Sequence, residues 1–235
     1  MSTVITSIDS GSPAEKAKIR VGEKLLRLNG HEIADVLDYR FFCYDPVVKA
    51  ELEEEDGSCR TVKIRKEEGE DLGLNFDTYL MDEPRPCSNH CIFCFVDQMP
   101  PGMRDTLYFK DDDARLSFLM GNYITLTNLT EREAQRIIDL RISPINVSVQ
   151  ATEPQLRRTL LANRNADRSI EYMRAFGEAG IEMNGQIVVC PDWNDGEHLK
   201  RTIEDLMDIG FHSCSVVPVG LTQYRKGLAK IKVVD

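Results

Sequence analysis

Three cysteines stand within eight residues in Cys87-Ser-Asn-His-Cys91-Ile-Phe-Cys94, a C-x3-C-x2-C spacing. Thiolates are the ligands of soft metals and of iron–sulfide centres. Three of them on one short loop can hold three irons of a four-iron cubane and leave the fourth iron without a protein ligand. An iron with an open position can bind and activate a small molecule, whereas a fully ligated cluster mainly passes electrons. Two plainer readings stand beside this one. Zinc would need a fourth ligand: His90 lies inside the loop, and Cys190 and Cys214 are isolated further along, but no second closely spaced pair accompanies the first three. A disulfide would need an oxidising compartment, and nothing in the sequence points to one.

The spacing, with Phe93 directly ahead of the last cysteine, resembles the cluster loop of the radical S-adenosylmethionine (SAM) superfamily. The resemblance implies a 4Fe-4S cluster on Cys87, Cys91 and Cys94, with the methionine end of SAM chelating the open iron. It implies reductive cleavage of the cofactor to a 5′-deoxyadenosyl radical, fed by a reductant such as a ferredoxin or flavodoxin. It also sets Phe93 against the adenine. A longer stretch narrows the likeness. It runs from Cys94-Phe-Val-Asp-Gln-Met-Pro-Pro-Gly-Met-Arg104 through Leu107-Tyr-Phe-Lys-Asp-Asp-Asp-Ala-Arg-Leu-Ser-Phe-Leu119 to Gly121-Asn-Tyr-Ile-Thr-Leu-Thr-Asn128, with Val217-Pro-Val-Gly-Leu-Thr-Gln-Tyr-Arg225 further on. It looks like a group of iron–sulfur oxidoreductases built from an N-terminal PDZ-like domain, a radical-type core and a C-terminal domain of unknown function. Many radical enzymes carry Gly-Gly-Glu after the second strand, where it helps hold the cofactor's ammonium. Here Thr127-Asn128-Leu129 takes that place, and Asn128 offers a carbonyl but no charge.

The elements that must position these residues follow from the patterning. From about residue 77 onward, strand-like and helix-like stretches alternate, which predicts a parallel sheet with crossover helices. Strands are predicted at 76–81, 123–127, 145–150, 186–189 and 213–219. Helices are predicted after the capping box Thr130-Glu-Arg-Glu133 to about Leu140, from Thr152-Glu-Pro-Gln155, over 169–179 ending at Gly180, and from 194–197 to Gly210. Five such units match the partial (β/α) barrel that the resemblance implies. A sixth is typical of the family, so the expectation is a barrel incomplete at its C-terminal end. In parallel barrels functional groups gather at strand C-termini. That rule nominates Asn128, Ser148, Gln150 and Gly220 as cofactor-binding residues, with Ser148 and Gln150 sharing one face by their period of two. The run Asp111-Asp-Asp113 reads as a solvated turn or helix start, because three consecutive side chains diverge. His198 and His212 lack a partner motif and receive no role.

Residues 1–72 read as a separate, β-rich module ahead of a core at 73–235, with the charged link Glu67-Glu-Gly-Glu-Asp71 near the boundary. Strands are predicted at 4–8 and 23–28, the latter closed by the turn dipeptide Asn29-Gly30. Helices are predicted at 14–19 and 36–44. A hairpin of 47–53 with 60–65 crosses Glu54-Glu-Asp-Gly57. The order Gly-Ser-Pro-Ala-Glu, then Val-Gly-Glu-Lys-Leu-Leu-Arg-Leu-Asn-Gly-His-Glu-Ile, resembles a bacterial PDZ domain, which implies binding of a peptide or protein C-terminus. Leu72-Gly-Leu-Asn-Phe76 faintly resembles that family's carboxylate-binding loop. The plainer reading is that Leu74 and Phe76 alternate inward on a strand. Cys43 and Cys59 are expected to be packing residues.

Composition sets the outer limits. The chain has 235 residues, 42% apolar, enough to bury a real core. Its net charge of −10 is spread over both parts: residues 1–76 carry 11 basic and 16 acidic side chains, and the rest carry 18 and 23. Neither part is basic, so duplex DNA is not an expected partner. No stretch approaches the roughly 20 apolar residues of a membrane helix, no signal peptide is evident, and a cytoplasmic protein is expected. The reading is therefore a radical SAM enzyme of unspecified substrate. The alternative is a PDZ-type peptide-binding module fused to a non-catalytic iron–sulfur or zinc-binding barrel.

Overall fold

A computed structural model describes residues 3–233. The chain divides into two compact units, Met1–Pro84 and Arg85–Asp235.

The first unit holds a four-stranded antiparallel sheet of order β3-β2-β4-β5. Its strands are β2 (Lys24–Leu28), β3 (His31–Glu32), β4 (Val47–Glu53) and β5 (Cys59–Arg65). Asn29 and Gly30 both take positive φ, 53° and 87°, the geometry of a two-residue hairpin turn. The turn pairs Leu28 with His31. Short helices α1 (Pro13–Lys16) and α2 (Val36–Phe42) begin at Ser12 and Asp35, whose side chains accept from backbone N–H groups of the first turn. Leu25, Leu28, Val48, Ala50, Leu52 and Ile64 form the buried face.

The stretch at 72–76 belongs to this unit. Strand β6 (Leu74–Asn75) pairs antiparallel with β1 (Ser7–Ile8), and Leu72 O accepts from Ala14 N–H at 3.0 Å. The unit therefore runs to Pro84, past the division expected at 72, because these backbone bonds are satisfied inside it. Leu74 is buried, and Phe76 stands edge-on to Tyr39. The inward alternation expected of Leu74 and Phe76 matches this packing. One N–H of the stretch that faintly resembles a carboxylate-binding loop is taken: Gly73 N–H donates to Asp71 Oδ1 at 2.7 Å. Tyr39 in turn donates to the same Asp71 oxygen at 3.2 Å.

The second unit carries a parallel sheet of order β7-β8-β9, made of β7 (Ile145–Ser148), β8 (Met183–Val189) and β9 (Ser213–Pro218). Helices α5 (Pro154–Leu161) and α6 (Arg168–Glu178) lie between β7 and β8, and α7 (Gly196–Ile209) lies between β8 and β9. Helix α4 (Glu131–Asp139) starts at the expected capping box of Thr130 with Glu133. Helix α3 (Ala114–Met120) starts at Asp113, in the acidic run for which a turn or a helix start is expected.

Two of the five expected strands are not strands of this sheet. Residues 76–81 form none. Residues 123–127 make a single parallel bridge, Ile124 to Val147. The reason is local: Thr125 N–H donates to the Asp112 carboxylate at 2.6 Å instead of to a neighbouring strand. Leu126 then turns to φ 63°, which breaks an extended run. A closed or six-unit barrel is accordingly not seen among the described residues. Ile145, Val147, Met173, Phe176, Met183 and Ile187 are the centre of the core.

Helices α6 and α7 approach closely at one glycine. A Cβ on Gly177 would lie 2.1 Å from Ile209 O. Alanine inside a helix ordinarily gains about 1 kcal/mol over glycine. Here Gly177→Ala is expected to destabilise the protein by about 2 kcal/mol or more, read by denaturant unfolding; a gain in stability would contradict the packing. Burial pushes the Cys43 and Cys190 thiols up to about 11. An unfolded chain ionises its thiols near pH ~8.5. The stability from these protonated thiols is thus present in full below about pH 8.5 and lost as pH climbs towards 11. Unfolding midpoints measured across this window should fall, and fall less steeply in Cys43→Val.

Candidate metal centre

The cysteine loop is held on several sides. Cys87 N–H donates to Lys110 O at 2.7 Å, beside a bridge between Pro86 and Asp111. His90 N–H and Ile92 N–H donate to Leu161 O and Leu160 O, at 3.0 and 2.9 Å. These are carbonyls that the end of helix α5 leaves free. Cys94 N–H closes a turn onto Cys91 O at 3.0 Å. Gln98, fully buried, ties the end of the loop to the segment after β9. Its Nε2 donates to Gly220 O at 3.0 Å, its Oε1 accepts from Thr222 N–H at 2.9 Å, and its backbone carbonyl accepts from Thr222 Oγ1 at 2.6 Å. Arg225 Nη2 reaches Ile92 O at 3.0 Å.

Beneath the loop lies a buried polar lattice centred on Asn89, which is 2% exposed. Its backbone N–H and its Nδ2 both point at Cys87 Sγ, each at 3.4 Å. Nδ2 also lies 2.9 Å from Thr125 Oγ1 and from Thr127 Oγ1. Oδ1 accepts from Asn163 Nδ2 at 2.8 Å. Thr125 passes the connection to Asp112, donating its hydroxyl to Oδ2 at 2.5 Å. Asp112 and Asp113 are buried while Asp111 is exposed; of the turn or helix start expected of this run, the helix start is present, with Asp113 capping α3. The three do diverge. Asp111 accepts from Asn122, Asp112 from Thr125, and Asp113 from Arg85 N–H and the Arg115 guanidinium.

The thiols sense one another. Burial raises the Cys91 thiol most, and the neighbouring Cys87 and Cys94 raise it further. Burial and Asp112 raise Cys87 against the hydrogen bonds from Asn89. Burial is also the main cause for Cys94, which stands near the Asp97–Lys110 ion pair. Unmetallated, these are protonated thiols; as metal ligands they must give up those protons. Among the described residues no three His, Cys, Asp or Glu side chains crowd one point as a single ion requires. In a cubane each thiolate takes its own iron, and three free thiols on one loop are a donor set that such a cluster can use. The candidates for a fourth zinc ligand are not brought in: Cys190 is buried with Sγ directed at Val188 O, Cys214 packs at the main core, and His90 is exposed.

The other nominated residues fall into four groups. Phe93 packs with Cys91 against a small core of Ala151, Leu160, Leu161 and Ala166. Asn128 does stand beside the loop, but its amide is spent on it: Oδ1 accepts from Ser88 Oγ at 2.7 Å and Nδ2 donates to Pro86 O at 2.8 Å. Ser148 and Gln150 are brought together, Gln150 Nε2 donating to Ser148 Oγ at 2.6 Å, while Gln150 Oε1 accepts from Val188 N–H at 2.7 Å. Gln150 thereby laces β7 to β8. Gly220 lies against the Phe95 ring, 3.6 Å from where its Cβ would be. Asn89, Gln98, Asp112 and Arg157 were not nominated. Only Arg157 left a trace in the sequence, as a charge among Leu156, Leu160 and Leu161 on the apolar side of a helix.

A radical SAM-like domain model matches residues 66–216, and a PDZ domain model matches residues 4–44. The chain belongs to the radical SAM superfamily and carries a PDZ-like domain. Among solved structures it is similar to Streptococcus suis SuiB bound to S-adenosylmethionine. That match has 16% identity, covers 60% of this chain and 38% of that one, and has a TM-score of 0.42. A second structure, titled simply as SuiB, is 17% identical over 48% and 25% of the two chains, with a TM-score of 0.39. A radical SAM methyltransferase from Sphaerobacter thermophilus is 15% identical over 94% and 74%, with a TM-score of 0.34. These are loose likenesses, and the family assignment rests on the domain match. The chain spans 25 to 38% of the length of the SuiB chains. No curated protein matches it. Among the described residues no helix is long and apolar enough to cross a membrane.

If Asn89 is the hub beneath the loop, Asn89→Ala strands the Thr125 and Thr127 hydroxyls and should cost about 2–3 kcal/mol of unfolding free energy. In metal-free protein it should also slow alkylation of Cys87, because a hydrogen bond that favours its thiolate is lost. An unchanged alkylation rate, read by mass spectrometry of the modified peptide, would show that Asn89 does not favour this thiolate.

Proposed function

We propose that this chain is an enzyme that holds a 4Fe-4S cluster on Cys87, Cys91 and Cys94 and binds SAM at the iron left open. The observation that carries the reading is the loop itself. Three mutually close, partly buried thiols sit on a backbone pinned by Lys110, Leu160, Leu161 and Asn89. When bound, the cluster supplies one electron that splits a carbon–sulfur bond of SAM, giving methionine and a 5′-deoxyadenosyl radical able to abstract hydrogen from a substrate.

The chain's own residues have narrower tasks. Asn89 donates two hydrogen bonds to Cys87 Sγ, which favour the thiolate. Phe93 provides an apolar surface next to Cys91 on which an adenine can lie. Ser148 and Gly220 keep their proposed places by the cofactor, at strand ends of the parallel sheet. Asn128 and Gln150 act on it through the walls they hold, since their amides already have partners. A small electron carrier such as a ferredoxin or flavodoxin is the proposed reductant. The alternative of a C-terminal peptide reader draws less support, because Asp71 already takes the N–H group of Gly73.

Protein made and reconstituted without oxygen should contain about four iron and four sulfide per chain. Its reduced paramagnetic spectrum should change on addition of SAM, and 5′-deoxyadenosine should form under reductant. Cys91→Ala should lose all three. Iron-free protein carrying one zinc, or a cluster whose spectrum ignores SAM, would overturn the proposal.

A further inference from the structure

Arg157 is fully buried on helix α5, the helix whose last carbonyls hold the cysteine loop. Its guanidinium is well hydrogen-bonded, yet every acceptor it reaches is neutral. Nε donates to Ala166 O at 3.0 Å and Ser169 Oγ at 2.9 Å, Nη2 donates to Thr125 O at 2.9 Å, and Nη1 and Nη2 lie 3.4 Å from Ser148 O. A charge taken wholly out of water without an anion is strongly disfavoured. The ionisable groups that act on it through space are Cys91 and Asp112. It reaches the lattice under the loop through Thr125, whose N–H and hydroxyl hold Asp112 and whose hydroxyl meets Asn89.

Its hydrogen bonds to neutral oxygens leave this cation without a directly paired anion. Three thiolates on a doubly positive four-iron core make an anion, and one-electron reduction adds a second negative charge. We propose that Arg157, held on the helix that pins the cysteine loop, is the buried counter-charge of the cluster and favours its reduced form. The inference rests on the cluster reading above. Its physical basis is that net charge around an iron–sulfur centre sets its potential. A guanidinium suits the place because its several donors spread over Ala166 O, Ser169 Oγ, Thr125 O and Ser148 O.

The test is a redox titration of the reconstituted full chain, followed by the cluster's paramagnetic signal, in the parent protein and in Arg157→Met, Arg157→Gln and Arg157→Lys. At the parent midpoint, Arg157→Met should lower the ratio of reduced to oxidised cluster about tenfold, equivalent to about 59 mV for one electron. Arg157→Gln should do the same while retaining hydrogen bonds to Thr125 O or Ser148 O, and serves if the methionine variant does not fold. Arg157→Lys should stay within about threefold of the parent. A neutral variant that folds, takes up iron and sulfide, and keeps the parent ratio within twofold overturns the inference. So does a lysine variant shifted as far as the neutral ones. If both neutral variants fail to fold, a lysine variant at the parent ratio supports the charge role, and one shifted tenfold refutes it. Failure of the parent chain to take up iron and sulfide is a separate result: it removes the cluster reading and this inference with it.

Discussion

Three thiols on one loop have to be held near each other without collapsing onto neighbouring groups, and the constraint that achieves this is a buried polar lattice. Asn89, Thr125, Thr127, Asp112 and Asn163 satisfy one another beneath the loop. Such a lattice is stable only when nearly every member is paired, since an orphaned polar group in a low-dielectric interior costs more than its bond contributes. The lattice therefore behaves as one unit. It fixes where Cys87 stands, where the chain after Lys110 turns, and where residues 123–127 run.

The sheet yields to that lattice. An ordinary second parallel strand would spend Thr125 N–H on a neighbouring carbonyl. Here that donor goes to Asp112, and Leu126 turns to positive φ while staying buried. One ladder is exchanged for a carboxylate anchored under the thiols. Gln150 makes a similar exchange at the end of β7, where positive φ sends its side chain across to Val188 N–H. At both places the strand is interrupted beside the candidate metal centre, where parallel folds concentrate function.

The PDZ-like unit shows the same economy of donors. The stretch Leu72–Phe76 has an internal carboxylate beside it, Asp71, bonded to Gly73 N–H and to Tyr39. The packing of Tyr39 against Phe76 completes a closed corner. Gly73 is required there: φ is +78° and an added Cβ would lie 2.3 Å from the Ser12 Cβ.

Much was legible in the linear chain because it depends on near neighbours. The thiol spacing, the Asn29-Gly30 hairpin, the Thr130–Glu133 capping box, Pro154 opening α5 and Gly210 closing α7 are local facts of stereochemistry and hydrogen bonding. What only the tertiary structure decided depends on partners far apart in sequence. Asn89 meets Thr125 and Asn163, Gln98 meets Gly220 and Thr222, and Arg157 meets Thr125 and Ser169. Asn128, Ser148 and Gln150 were placed by rule at strand ends, but whether their polar atoms face a ligand or a wall is set by which donors the folded backbone leaves unpaired. Spacing names the atoms able to bind a metal; burial and long-range pairing decide which polar groups remain free to act.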